Sequence, residues 1–216
     1  WQGRTDGNHP ERIHQWIKLV SLKDREGFSS QEEKPISLLG FACDEGVRRN
    51  LGRLGAQGGP KAFRQGFKNL CCFFQDHQQI WDRGDIVCQN GDLESSQKAL
   101  GEAVFKILDG GHLSFLVGGG HETSWGHYQG LRKKFQTETI GIINFDAHFD
   151  LRPLVEGKLG SSGTPFWQIA QDCQERNLPF PYACLGIQKS ANTKELFNRA
   201  HDLGVSYVEA REIHDQ

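Results

Sequence analysis

The chain has 216 residues, a formal net charge of −2, 37% hydrophobic residues and 24% charged residues. This near-neutral charge argues against nucleic acid or an anionic membrane as the main partner. No apolar run approaches the roughly 20 residues needed to span a bilayer, and the amino terminus WQGRTDGNHPER is too polar for a signal peptide. We therefore expect a cytoplasmic protein with a single domain over residues 1–216.

The six cysteines are scattered along the chain without CxxC spacing. Cys43 and Cys184 lie in apolar, strand-like runs. We interpret the cysteines as reduced core thiols of a cytosolic protein rather than as a disulfide framework or a zinc site.

Strand-like and helix-like segments alternate along the chain after a polar arm, residues 1–34. Runs of β-branched and aromatic residues predict strands at Ile36–Cys43, Ile80–Val87, Leu113–Val117, Ile140–Phe145, Tyr182–Ile187 and Gly204–Val208. Helical patterns occur at Lys61–Leu70, Leu93–Leu108, Glu122–Phe135, from about Pro165, and at Asn192–His201. This alternation predicts a three-layer α/β fold, in which helices flank both faces of a mainly parallel central sheet.

The segment TIGIINFDAHFD, residues 139–150, places three potential metal ligands at the end of a predicted strand. Ile140–Phe145 has the pattern of a strand that is buried on both faces. Asp146, His148 and Asp150 follow at alternate positions, so their side chains would point to one side of an extended chain. Two carboxylates and an imidazole held together need a cation, and this mix of nitrogen and oxygen donors suits a divalent metal.

A second predicted strand, Leu113–Val117, is followed by the sequence GGGHE, residues 118–122. Three consecutive glycines allow a sharp turn and close packing, which would bring His121 to the same edge of the sheet. Ligands bind at the carboxyl ends of strands in open α/β sheets. Because two strands end in such residues, the sequence favours a metal site over a solvated loop with a helix-capping aspartate.

Two other chemistries receive less support. His121 and Glu122 could begin the HExxH helix of a zinc protease, but Trp125 occupies the position of the second histidine. The loop Asp44–Pro60 contains five glycines and three arginines, yet it matches neither GxxxxGK[ST] nor GxGxxG. We interpret it as a basic, flexible loop that suits a small anionic substrate.

The segments GGGHE and NFDAHFDLR, separated by a helix, resemble the metal-binding motifs of the ureohydrolase superfamily of arginase and agmatinase. The segments WQGR, GVRRNLGRLGAQGGP, SSGTPF and YACLGIQKSANTKELF are similar to the branch that acts on N-formimidoyl-L-glutamate. This resemblance extends over essentially the whole chain and implies an arginase-like fold. The implied reaction hydrolyses N-formimidoyl-L-glutamate to L-glutamate and formamide, in histidine degradation.

The resemblance also implies a cofactor of two manganese ions per subunit, which share a bridging hydroxide held by Asp146. His121, Asp146 and Asp150 would bind one ion. Asp146 and His148 would bind the other. In the family, two further aspartates come from an SxDxD-like strand that would follow Gln216, so we expect the printed chain to be the amino-terminal two thirds or so of the enzyme.

Substrate contacts are implied at Arg152, Ser161 and Ser162. Enzymes of the arginase type have a histidine in the loop where this chain has Ser162, which argues against arginine as the substrate. Arg152 would pair with a substrate carboxylate, or form a surface salt bridge instead. Another ureohydrolase, such as an agmatinase or a guanidino-acid hydrolase, and a metal-free binding module remain alternatives, and a homo-oligomer stays open.

Overall fold

The computed structural model describes residues 1–7, 9–24, 34–74 and 79–214, except for the side chain of His214. Part of the predicted polar arm, residues 25–33, therefore lies outside the described residues. The strands are β1 (Ile17–Leu19), β2 (Ile36–Ala42), β3 (Ile80–Val87), β4 (Leu113–Val117), β5 (Ile142–Phe145), β6 (Tyr182–Ile187) and β7 (Ser206–Glu209). The α-helices are α1 (Ile13–Trp16), α2 (Glu45–Arg49), α3 (Gly59–Phe67), α4 (Leu93–Asp109), α5 (Thr123–Lys134), α6 (Pro165–Glu175), α7 (Lys194–Asp202) and α8 (Ala210–His214).

Every strand pair in these elements is parallel, as the alternation of strands and helices predicted. The strands form two hydrogen-bonded sheets, with the orders β1-β3-β2-β4 and β5-β6-β7. In the described part of the chain, β4 and β5 are therefore edge strands of separate sheets. The α/β class is confirmed, and the carboxyl ends of both edge strands carry the predicted metal ligands.

Strand β2 has a helix on each face. Leu39 and Phe41 are buried against α4 in one apolar core. On the other face, Gly40 lies so close to α3 that an added Cβ would be 2.8 Å from the Cβ of Pro60. Side chains alternate between the faces of a strand, so the continuous apolar run of β2 fills both interfaces. Helix α4 begins at the predicted cap, where the Asp92 side chain accepts a hydrogen bond from the Ser95 amide at 3.1 Å.

The second sheet packs its core face against α6 and α7. Tyr182 of β6 stacks on Phe166 of α6 with ring centroids 4.4 Å apart. Phe149 and Leu151, which flank the predicted ligand Asp150, are fully buried in the same cluster. Burial of one such side chain is worth about 1.5 to 3 kcal/mol, so this core anchors the ligand segment to the sheet.

The expectation that the strand at Ile140–Phe145 is buried on both faces is wrong for β5 as described. Ile143 and Phe145 are 70% and 80% exposed. Ile142 and Asn144, at the alternate positions, face the core instead. Leu113 and Phe115 on β4 are also exposed. The reason is topological, because each of these strands pairs with only one neighbour.

Other elements differ from the sequence-based expectations. The loop predicted at Asp44–Pro60 contains α2 and a short 3-10 helix at Ala56–Gly58, and α3 begins at Gly59. All six cysteines are free, and Cys43, Cys173 and Cys184 are buried as expected, but Cys71 is exposed. Within the described ranges, no helix combines the length and apolar character needed to cross a membrane.

Candidate metal centre

His121, Asp146 and Asp150 come together where β4 and β5 end. The Nδ1 atom of His121 lies 2.6 Å from Oδ2 of Asp150 and 3.0 Å from Oδ2 of Asp146. One potential ligand atom from each of the three residues lies within 4.8 Å of the others. The structure thus unites three of the four predicted ligands, which come from segments about 25 residues apart in the sequence.

The glycines before His121 are required for close packing. Gly119 approaches β2 so closely that an added Cβ would lie 1.7 Å from the carbonyl oxygen of Cys43. The same carbonyl accepts a hydrogen bond from the Gly120 amide at 3.0 Å. Gly118, Gly119 and Gly120 are absent from the glycines with positive φ. These glycines therefore let two strand ends touch, and they need no left-handed conformation to do so.

The ligand segment after β5 is not the extended chain that its spacing suggested, because it bends at Ala147 and His148. Phe149 and Leu151 point into the core, whereas Asp146, His148 and Asp150 do not. Asp150 has a φ of 48°, a left-handed conformation that aspartate tolerates better than most residues. Its backbone carbonyl accepts a hydrogen bond from the amide at the start of α6. The segment is consequently fixed on both sides.

Asn192 holds this segment from a third direction, a role that the sequence did not reveal. Its side-chain oxygen accepts a hydrogen bond from the Phe149 amide at 3.1 Å, and its Nδ2 donates to the carbonyl of Ala147 at 2.8 Å. The Asn192 side chain is buried. An asparagine before a helix looks like an ordinary cap, so its contact 43 residues away has no local signal.

His121 and the two aspartates stabilise one another's charged forms. Burial alone would lower the pKa of His121, but hydrogen bonds to Asp146 and Asp150 outweigh burial and raise it to about 9. Burial would raise the pKa of Asp146, but hydrogen bonds from His121 and from the His148 amide lower it to about 2. Two carboxylates therefore strongly favour a positive charge at this position.

His148 lies next to the cluster but outside the group of three. Its amide donates to Oδ1 of Asp146 at 3.0 Å, and its Nδ1 is 3.5 Å from the same oxygen. Its side chain is 52% exposed. The two carboxylate oxygens of Asp146 thus face different histidines. Nitrogen and carboxylate oxygen donors are suitable ligands for Mn2+, so the residues fit the metal that the resemblance implied.

The loop with the two predicted substrate serines precedes α6, whose Phe166 contacts the His121 ring with centroids 5.4 Å apart. Ser161 is only 2% exposed, and its hydroxyl accepts a hydrogen bond from the Gly163 amide at 3.3 Å. The Ser161 amide donates to the Thr164 hydroxyl at 2.8 Å. Ser162 is half-buried, and its amide donates to the carbonyl of Gly46 in α2 at 3.0 Å. Ser161 therefore shapes the loop, and Ser162 is the more accessible serine.

Arg152 is exposed and adjoins the same loop. Its amide donates to the carbonyl of Gly163 at 2.9 Å. A Cβ added to Gly163 would lie 2.8 Å from Cδ of Arg152, so the arginine side chain extends along this glycine. Arg152 follows the predicted ligand Asp150 by two residues.

In the loop Asp44–Pro60, two of the three arginines are paired with glutamates, which corrects the expectation of a flexible cationic loop. Arg48 donates to Glu45 at 2.6 Å. Arg49 donates to Glu45 at 2.9 Å, to Glu94 at 2.5 Å and to the carbonyl of Gly160 at 3.0 Å. The hydrogen bond to Glu94 raises the pKa of Arg49, and the one to Glu45 adds to this shift. Burial of Arg49 acts in the opposite direction but is outweighed. Arg49 consequently ties α2 to the serine loop.

Glu122, the last residue of the GGGHE segment, is fully buried. Its Oε1 accepts a hydrogen bond from the Gly46 amide at 3.0 Å, and its backbone carbonyl accepts one from Nε2 of Gln97 at 2.8 Å. Its Oε2 has no hydrogen-bond partner among the described residues. Burial raises the pKa of Glu122. A glutamate next to His121 therefore caps α2, whose own Asp44 makes no side-chain cap.

Comparison with known proteins supports the resemblance seen in the motifs. The chain is 44% identical to a formimidoylglutamase of Legionella pneumophila (strain Lens) over 216 residues, which cover 100% of this chain and 66% of that protein. It is 46% identical to a formimidoylglutamase of Aeromonas salmonicida (strain A449) over 209 residues, 96% of this chain and 64% of that protein. The chain thus spans slightly less than two thirds of the length of these curated relatives.

Solved structures give the same result. A crystal structure of Trypanosoma cruzi formiminoglutamase with Mn2+ has a TM-score of 0.75 and 29% identity, and covers 91% of this chain and 67% of that one. The formimidoylglutamase from Bacillus subtilis has a TM-score of 0.78 at 19% identity, over 99% of this chain and 64% of that one, and is similar in fold alone. The Arginase family profile matches residues 34–216. This chain therefore belongs to the arginase family.

Proposed function

We propose that this chain supplies ligands to a binuclear manganese centre that hydrolyses N-formimidoyl-L-glutamate to L-glutamate and formamide. The observation that carries the proposal is the convergence of His121, Asp146 and Asp150 within 4.8 Å. The relatives named formimidoylglutamase support the choice of reaction, and the T. cruzi structure with Mn2+ supports the choice of metal. A cytoplasmic place in histidine degradation would follow from that reaction.

The chain's own residues would divide the work of binding. His121 and Asp150 would hold one ion, and Asp146 would extend its second oxygen toward the ion that His148 binds, in keeping with the separate histidine contacts of its two oxygens. A pair of bound divalent ions would lower the pKa of a water nucleophile and stabilise the charge that develops on oxygen and nitrogen when this water attacks the amidine carbon. The buried core beneath Phe149 keeps these ligands in place.

Substrate selection would depend on Ser162 and on Arg152, whose amide is hydrogen-bonded to the carbonyl of Gly163 next to Ser162. N-formimidoyl-L-glutamate carries two carboxylates, and an arginine guanidinium matches a carboxylate in charge and shape. Agmatine has no carboxylate, so it would leave that guanidinium unpaired. Ser161, buried within the loop, would shape the pocket rather than touch the substrate. The implied partner is a small anionic molecule.

Metal analysis of Asp146→Asn tests the metal centre. A neutral amide neither offsets the charge of two cations nor bridges them well. We expect the variant of the natural protein to lose at least one bound manganese ion per chain, as measured by equilibrium dialysis with elemental analysis. Its turnover, measured in a steady-state assay, should also be lost. The matched control is Asp202→Asn, at an exposed helix position beside His201. Unchanged manganese occupancy in Asp146→Asn would remove this residue from the centre.

Steady-state kinetics of the natural protein test the choice of substrate. We expect hydrolysis of N-formimidoyl-L-glutamate, with arginine and agmatine nearly untouched. Arg152→Ala should raise KM about 5- to 150-fold, equivalent to about 1 to 3 kcal/mol, with a smaller effect on kcat. Arg211→Ala, at an exposed position in α8, is the control. An unchanged KM would return Arg152 to a surface role, and preferential turnover of agmatine would favour another ureohydrolase.

A further inference from the structure

We propose that Asn50, at the end of α2, binds a carboxylate of the substrate together with Arg152, in a space that is open because residue 163 is glycine. Asn50 would then be a further specificity residue for the proposed hydrolysis, on which this inference rests. A Cβ added to Gly163 would lie 3.2 Å from Oδ1 of Asn50, and 2.8 and 3.3 Å from Cδ and Nε of Arg152. The two polar side chains therefore flank the same point in space.

Backbone hydrogen bonds hold the segments that carry these side chains together. The carbonyl of Gly46 accepts hydrogen bonds from the amides of both Asn50 and Ser162, each at 3.0 Å. The carbonyl of Gly163 accepts one from the amide of Arg152 at 2.9 Å. Asn50 and Arg152 are thus anchored on the two sides of the segment formed by Ser162 and Gly163. Because backbone atoms make these contacts, the arrangement does not depend on flexible side chains.

Helix α2 ends in a tight turn that fixes the backbone of Asn50. The Leu51 amide donates to the carbonyl of Arg48 at 3.1 Å, and the Gly52 amide donates to the carbonyl of Val47 at 2.8 Å. These two bonds form a Schellman motif, in which the residue after the cap adopts a left-handed conformation. That residue is Leu51, with a φ of 59°, although glycine is usual at this position. The cap residue Asn50 is consequently held in place by the turn that follows it.

The side chains of Asn50 and Arg152 are exposed and have polar groups to spare. Among the residues that the structure describes, neither side chain makes a hydrogen bond or an ion pair. The carboxylate of α2, Glu45, is already paired with Arg48 and Arg49, at 2.6 and 2.9 Å. The Arg152 guanidinium is therefore available to an external anion.

The pair of groups is suited to a carboxylate. A guanidinium binds a carboxylate through charge-assisted, directional hydrogen bonds. The carboxamide of Asn50 presents its oxygen toward Arg152, and half a turn of this group places the Nδ2 donor at the same position. A carboxylate held by Arg152 would thus accept a hydrogen bond from Asn50 as well. N-formimidoyl-L-glutamate carries two carboxylates, and agmatine carries none.

Gly163 provides the room for this ligand. It is buried, and it is absent from the glycines with positive φ, so its conformation does not demand glycine. The first atoms that an added Cβ would meet belong to the side chains of Asn50 and Arg152. A side chain at position 163 would therefore occupy the space between the carboxamide and the guanidinium. The fold would tolerate it, because both neighbours can move aside.

Calorimetric titration of the manganese-loaded natural protein with L-glutamate tests the proposal without turnover, since this product carries both carboxylates. We expect Asn50→Ala to weaken binding about tenfold, as for loss of a hydrogen bond to a charged group. Asn50→Asp should weaken binding more than Asn50→Ala, because its carboxylate repels the ligand. Asn198→Ala, at an exposed position in α7, is the control. Wild-type affinity in Asn50→Ala, or no binding of L-glutamate by the wild type, would overturn the proposal.

Gly163→Ala tests the space between the two side chains and serves if an Asn50 variant is unfolded. We expect circular dichroism like that of the wild type, severalfold weaker binding of L-glutamate, and a KM that rises more than kcat falls. Gly66→Ala is the matched control, because a Cβ added at this position in α3 meets no atom within 4 Å. Unchanged L-glutamate affinity in Gly163→Ala would refute the site.

Steady-state kinetics separate this inference from the proposed function. N-formimidoyl-L-glutamate is compared with N-formimidoyl-γ-aminobutyrate and N-formimidoyl-α-aminobutyrate, each of which lacks one carboxylate. Asn50→Ala should raise KM for the diacid and for only one of these analogues, which identifies the carboxylate that Asn50 contacts. Equal increases for both analogues would rule out such a contact. If the wild type does not hydrolyse N-formimidoyl-L-glutamate, the proposed function fails, and the L-glutamate titration still decides the role of Asn50.

Discussion

Replacing Gly119 with alanine tests whether the metal centre depends on direct contact between the ends of β2 and β4. The added Cβ would lie 1.7 Å from the carbonyl oxygen of Cys43 and 2.8 Å from its carbonyl carbon. Both atoms belong to the backbone, so no side-chain rotation can relieve the overlap. The two strand ends must separate by roughly 1.5 Å before an ordinary van der Waals contact is restored.

The energetic cost follows from this displacement. Overpacking of a well-packed site costs about 1 to 3 kcal/mol, and loss of the hydrogen bond from the Gly120 amide to Cys43 adds about 1 kcal/mol. We therefore expect Gly119→Ala to lower the free energy of unfolding by roughly 2 to 4 kcal/mol, measured by urea denaturation. For a domain of this size, the melting temperature should fall by roughly 4 to 16 °C. His121 follows two residues later, so manganese affinity should fall as well.

Gly141→Ala is the matched control, since this glycine directly precedes β5, the other strand that ends at the candidate metal centre. A Cβ added to Gly141 meets no atom within 4 Å, and its φ is not positive. Alanine should therefore be neutral or stabilise the fold by about 0.4 to 1 kcal/mol through the unfolded chain. Equal stability of the two alanine variants would show that the contact at Gly119 does not constrain the site.

The remaining predictions concern two buried groups. Glu122→Ala should remove the acceptor of the Gly46 amide, cost about 1 to 3 kcal/mol and speed hydrogen exchange at that amide, and unchanged exchange would contradict the capping role. Burial lowers the pKa of His112 to about 4, so the folded state resists protonation that the unfolded state accepts below about pH 6.5. Stability should thus fall by up to about 3 kcal/mol between pH 6.5 and 4, and His112→Gln should flatten this loss. His201→Gln, at an exposed position, should not, and a wild-type pH dependence in His112→Gln would refute the assignment.

The sequence predicted elements whose stability is local. Leu113–Val117 and Tyr182–Ile187 coincide with β4 and β6, because their apolar runs end at glycine or polar residues. Helix α4 starts at its predicted cap, since the Asp92 signal lies three residues from its partner. Asp146 and Asp150 come together beside His121, and the large residue between them in the sequence, Phe149, is buried in the core.

The sequence failed where a partner is distant. Helix α2 has five residues and receives its cap from Glu122, which is 76 residues away, so no local pattern announces it. The arginines of the first loop looked free, yet Arg49 is paired with Glu94, 45 residues away. The exposure of Phe145 was equally hidden, because burial depends on how many strands pair with β5. Long-range contacts, rather than weak propensities, limited these predictions.

One residue, Gly46, connects the neighbour of His121 to the loop that carries Ser161 and Ser162. The Gly46 amide donates to Glu122, the neighbour of His121, and the Gly46 carbonyl accepts from the Ser162 amide. Gly46 packs closely against Glu122, since a Cβ added at position 46 would lie 2.6 Å from the Glu122 carboxyl carbon. Any movement of α2 must therefore displace Ser162 or break the bond to Glu122. It follows that α2 connects the neighbour of His121 to the loop that carries Ser162, a connection that its sequence did not reveal.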